Sequence, residues 1–153
     1  MRAELLRLAK PSVTLGNLDQ FTITNQGQLL LDSYRGTTDW EEGATLEDAI
    51  TEIQNTFNGE YGTFESSASG ILTRADGLPV SAIYCSIFEE EPFVVFTFSE
   101  PNSLGKGFAT KLIGAAAEVF RIQGFTTMHL FVTDVNPARH LYEKLGFSPI
   151  ENG

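Results

Sequence analysis

Two segments in the C-terminal third constrain the fold of this chain most. Residues 101–113 read Pro-Asn-Ser-Leu-Gly-Lys-Gly-Phe-Ala-Thr-Lys-Leu-Ile, a glycine-rich entry into a helix. Residues 136–147 read Asn-Pro-Ala-Arg-His-Leu-Tyr-Glu-Lys-Leu-Gly-Phe, with Asn136 at a cap position, Pro137 at the first helical position and Gly146 as the stop. Ala109, Leu112, Ile113, Ala116, Val119 and Phe120 share one face of a helix expected over 107–123, which Gly124 closes. Residues 127–133 are apolar and β-branched and predict a strand. Strand, glycine turn, helix, strand and helix follow one another without a linker.

The upstream pattern supplies the rest of a sheet. Residues 69–74 and 79–88 flank Ala75-Asp76-Gly77, a hairpin signal. Glu89-Glu90-Glu91-Pro92 reads as a solvated turn before a strand over 93–99. Before the meander, residues 19–34 read as a helix interrupted by Gly27. Thr45 with Asp48 forms a capping box for a helix carrying Leu46, Ala49, Ile50, Ile53 and Phe57, stopped by Asn58-Gly59. Residues 13–15 suggest a short first strand, and 36–43 a polar loop. The order predicts an α/β fold, a mixed and mostly antiparallel sheet flanked by helices, in one domain over 1–153.

Charge and composition remove several function classes. The 153 residues carry a formal charge of −10, which opposes general nucleic-acid binding. No apolar run approaches a membrane span, and residues 1–10 lack a signal-peptide core. Cys85 is the single cysteine, and no metal-ligand cluster is visible. The expectation is a cytosolic protein with no metal, no membrane and no nucleic-acid partner. Nine acidic residues fall between Asp32 and Glu65 against Arg35 alone, while Lys106, Lys111, Arg121, Arg139 and Lys144 lie further on. This reads either as a solvated acidic surface or as an acidic mouth for a cationic acceptor.

In this order and spacing, the segments 101–113 and 136–147 resemble the two acyl-CoA motifs of the GCN5-related N-acetyltransferases. The resemblance covers roughly residues 66–147. It implies two neighbouring parallel strands splayed apart, with acetyl-CoA as cosubstrate between them. The family's Gln/Arg-x-x-Gly-x-Gly/Ala pattern aligns with Gly107 and Ala109 but places Leu104 at the Gln/Arg position. The segment Gly105, Lys106, Gly107, Phe108, Ala109 and Thr110 then meets the pyrophosphate. A helix start offers unpaired N–H groups and partial positive charge there. A tight strand-to-helix turn is the plainer reading of the same glycines. By position in the family, Thr97, Phe98 and Ser99 offer backbone groups to the pantetheine arm.

Tyr142 aligns with the family's general acid, and a phenol stays protonated at neutral pH, ready to protonate a departing thiolate. Ala138, Leu141, Tyr142 and Leu145 also share one helical face, which makes an ordinary core position the alternative; the family match favours the acid. Asn136 is a cap or a cofactor contact; its spacing to Ala138 is one residue shorter than the family's. Arg139 lies near phosphate or in solvent. The attacking amine must lose a proton, and Glu100 is the best-placed carboxylate, with Asp134 second. His129 and His140 have no partner at a telling spacing.

The resemblance implies an N-acetyltransferase acting by direct attack of a primary amine, on a small cationic molecule or basic peptide. The alternative is a catalytically weak acyl-CoA-binding or partner-binding module, and a third reading is a protein-acetylating subunit. Only residues 148–153 follow Gly-Phe, where family members add one or two strands. An open sheet edge, covered by a homodimer, is therefore expected.

Overall fold

The computed structural model describes residues 1–8, 13–35, 43–103, 106–132 and 138–150. The strands are β1 (Arg2–Glu4), β2 (Thr63–Phe64), β3 (Gly70–Thr73), β4 (Pro79–Phe88), β5 (Glu91–Ser99) and β6 (Thr127–Leu130). They form one sheet in the order β1-β6-β5-β4-β2, with β3 also paired to β4. The β5–β6 pair is parallel and every other ladder is antiparallel. Four helices flank the sheet: α1 (Ile23–Tyr34), α2 (Leu46–Phe57), α3 (Phe108–Ile122) and α4 (Ala138–Leu145).

Alternation along β4 divides the core into two layers. Ile83 and Cys85 join Leu112, Ile113, Ala116 and Phe120 of α3 and Tyr142 of α4. Ala82 and Tyr84 point the other way, to Leu29 and Leu30 of α1 and Ile53 of α2. The Tyr84 hydroxyl donates to Gln26 Oε1. Gln26 Nε2 donates in turn to Leu18 O at 3.1 Å and Phe21 O at 3.0 Å. A buried phenol is thus satisfied through a side chain that also ties down the approach to α1.

The capping box of α2 forms as its sequence predicts. Thr45 Oγ1 accepts from Asp48 N at 3.2 Å, and Asp48 Oδ2 accepts from Thr45 N at 2.9 Å. Elsewhere the elements shift. The helix expected from residue 19 is a 3₁₀ turn at Leu18–Gln20 followed by α1, because Thr22 caps Asn25 N at 3.1 Å and restarts the chain. Residues 13–15 are not a strand; the pairing near them is an isolated bridge from Gly16 to Ile71. The strand expected over 127–133 stops at Leu130.

The largest departure is β1. It pairs with β6 through Arg2↔His129, Ala3↔Met128 and Glu4↔Thr127, and Arg2 also exchanges backbone bonds with Ser148. The outer edge of β6, expected to be open, is occupied by the chain's own residues 2–4.

Gly62 is the most closely approached of the described glycines. Its φ is +100°, and a Cβ would fall onto the carbonyl of Ile87 and the Cα of Phe88 in β4. Gly62→Ala should therefore combine left-handed strain with a backbone clash. A loss of about 3 kcal/mol or more in urea unfolding is expected, and an unchanged midpoint would refute the close approach.

Candidate active site

The ladder between β5 and β6 is short. Their pairing is confined to Phe93↔His129 and Val94↔Leu130, yet β5 runs on to Ser99. The register of β5 against β4 shifts at the same place: Cys85 faces Val94 while Tyr84 faces Phe96, leaving Val95 as an inserted residue. A bulge bends its strand and increases local twist. Here it falls where both β6 and its pairing with β5 end, and no local sequence signal marked Val95.

Beyond the bulge, three predicted contact residues divide between the faces. Thr97 lies opposite Ile83, a residue of the layer under α3. Its Oγ1 is buried without a hydrogen-bond partner among the described residues. Such orphans are uncommon and call for a ligand or water. Ser99 Oγ shares a 2.7 Å hydrogen bond with Ser81 Oγ. Phe98 faces the other layer and stacks on Tyr84 at 5.6 Å, so only its backbone is free to serve the cleft.

The start of α3 has the form of an anion site. Gly107 is its cap, at φ +78°, and a Cβ built there meets nothing within 4 Å. The glycine thus answers a backbone requirement, with open space ahead of it. The first backbone bond into the helix is Lys111 N to Gly107 O at 3.1 Å. The amides of Phe108, Ala109 and Thr110 precede it and lack an intrahelical acceptor. Lys106 is exposed, while Lys111 Nζ sits 5.7 Å from the Phe108 ring centroid. Leu104 and Gly105 lie outside the described residues. These features suit a pyrophosphate held by backbone N–H groups.

Tyr142 lies in α4, 8% exposed, its ring edge-on to Phe147 at 6.1 Å. Burial pushes its phenol up to about 12, with a smaller contribution from Tyr34. Tyr34 ends α1 and packs with the opposite layer. Tyr34 had no motif to announce it. Arg139 Nε pairs with Glu143 Oε1 at 3.1 Å. Glu100 follows β5, and both of its carboxylate oxygens accept from Arg74 Nη1, at 3.1 and 3.0 Å. Asn136 and Asp134 lie outside the described residues. His129 does have a partner: its Nε2 is 3.1 Å from Glu91 Oε2, a contact created by strand register.

A family model described as the acetyltransferase (GNAT) family matches residues 30–147. The chain belongs to the GNAT family. Solved structures share the GNAT fold at low sequence identity. The PH1933 protein of Pyrococcus horikoshii superposes with a TM-score of 0.71 at 20% identity, covering 92% of this chain and 90% of that one. A PaiA N-acetyltransferase of Thermoplasma acidophilum, solved with coenzyme A, gives 0.63 at 16%, covering 82% and 83%. The aminoglycoside N-acetyltransferase AAC(6')-Iy, also with coenzyme A, gives 0.65 at 16%, covering 92% and 90%. No curated protein sequence matches this GNAT chain. Among its described residues, no helix is long and apolar enough to cross a membrane, and no group of three or more His, Cys, Asp or Glu could hold a metal ion.

Proposed function

We propose that this chain transfers an acetyl group from acetyl-CoA to a primary amine by direct attack. The end of the β5–β6 ladder at the Val95 bulge, with a glycine-led helix start after β5, carries this reading. Acetyl-CoA would supply the acyl group as an activated thioester. The amides of Phe108, Ala109 and Thr110 bind the pyrophosphate, and Gly107 leaves the approach clear. Thr97 Oγ1 gains a partner from the pantetheine arm. Backbone N–H groups of β5 beyond the bulge stabilise negative charge developing on the carbonyl oxygen.

Tyr142 holds its proton on Oη at neutral pH and gives it to the departing sulfur. Glu100 can take the amine's proton only if its ion pair with Arg74 opens. Neighbours solved with coenzyme A support the cosubstrate, and the NatC complex with a Gag peptide shows the same fold with a peptide. The burial of Tyr142 favours a second reading, a module that binds acyl-CoA with little or no turnover.

The experiment is thiol release from acetyl-CoA across a panel of primary amines. Amine-dependent release with a mass gain of one acetyl group on the amine is expected. Tight acetyl-CoA binding with no release for any amine would leave the binding module.

A further inference from the structure

On the α1–α2 side, beside the end of the β5–β6 ladder, lies a cavity of about 710 Å³. That volume falls within the range of small-molecule sites. Its inner wall is Phe93, Val95 and Phe96 of β5 with His129 and Leu130 of β6, so it reaches the last paired residues of that ladder.

Three observations describe what it suits. First, large apolar side chains crowd its mouth: Phe131 is 79% exposed, Ile150 51% and Phe88 45%. Isolated exposed apolar residues are ordinary, but several at one mouth mark a binding surface. Second, Glu52, Glu89 and Glu91 line it, with no Lys or Arg among its described lining. Tyr61 donates to Glu52 at 2.7 Å, and His129 holds Glu91. Third, Glu89 and Glu90 turn the β4–β5 hairpin with φ of +51° and +67°. Asn-Gly adopts that conformation at ease. Two consecutive glutamates there are strained, and strain of this kind gathers at functional sites.

We infer that this cavity receives the acceptor, and that the acceptor is a monoamine: one ammonium group on an apolar body bearing a ring or branched chain. The inference deepens the acetyl-transfer reading and rests on it for the use made of the cavity. The rings cover the apolar body, while Glu89 and Glu91 and the aromatic faces attract the ammonium. A polycation would press its remaining charges against phenylalanine, where desolvation is uncompensated.

Binding can be measured without turnover. Phenethylamine and spermidine serve as probes, titrated by calorimetry into the protein with coenzyme A present. Phenethylamine should bind at least about tenfold more tightly than spermidine. Phe131→Ala should weaken it by about tenfold and Glu91→Gln by about fivefold. Phe131 is largely exposed, so that variant keeps its fold, which an unchanged melting temperature verifies. Absence of phenethylamine binding, equal binding to Phe131→Ala, or tighter binding of spermidine each overturns the inference. If spermidine is acetylated while phenethylamine does not bind, acetyl transfer stands and the cavity assignment falls. If phenethylamine binds as expected but no amine is acetylated, the cavity assignment stands and acetyl transfer falls.

Discussion

Tyr142→Phe should lower kcat by roughly 10²–10⁴ while the acetyl-CoA dissociation constant stays within about twofold. The substitution removes only Oη. The ring stays buried in α4 against Phe147, so packing and the start of α3 are untouched. On the proposed mechanism only the proton destined for the leaving sulfur is lost. The phenol's displacement to about 12 keeps that proton in place across the neutral range. Measuring kcat by thiol release and binding by calorimetry on one preparation separates the possibilities. Unchanged kcat would make Tyr142 a core residue of the helical face and send the acid role elsewhere.

Gly107→Glu should weaken acetyl-CoA binding on the order of 100-fold. Two effects add. The residue sits at φ +78°, where an L side chain costs about 1–2 kcal/mol. The new carboxylate also enters the open space before α3, which the helix start makes attractive to anions. Gly107→Ala isolates the first effect and should cost less than about tenfold in affinity. No Cβ clash is present, so both variants fold, with melting temperatures lowered only modestly. Equal affinities for wild type and Gly107→Glu would move the pyrophosphate away from residues 106–110.

The parts of the fold legible in sequence were those determined by neighbours in the chain. The Thr45–Asp48 box, the hairpin at Ala75-Asp76-Gly77 and the face of α3 each declare themselves within a few residues. Residues 2–4 do not: they bury Ala3 between two exposed charges, and their strand exists only because β6 accepts it. The same divide runs through the site. The glycines before α3 and the tyrosine of α4 carry a local pattern. The inserted Val95 depends on register between β4 and β5, and the Glu91–His129 contact on register between β5 and β6. The acidic stretch suggests a mouth formed by residues 32–65; of its carboxylates among the described residues, Glu52 lines the cavity, while Asp39, Glu41 and Glu42 lie outside the described residues. Two others came from the glutamate run taken as a solvated turn. Composition registers charge, but only pairing decides where charge converges.

The docking of β1 against β6 also sets a timetable for folding. Residues 2–4 must meet residues 127–129, so this ladder closes the longest loop of any between two strands and carries a large chain-entropy cost. During synthesis the first strand has no partner until β6 has emerged. The β3–β4–β5 meander and the α1–α2 pair can assemble well before that. Until β1 docks, β6 keeps an unpaired edge. The same pairing that completes the sheet therefore ties a late folding event to the strand beside the candidate site.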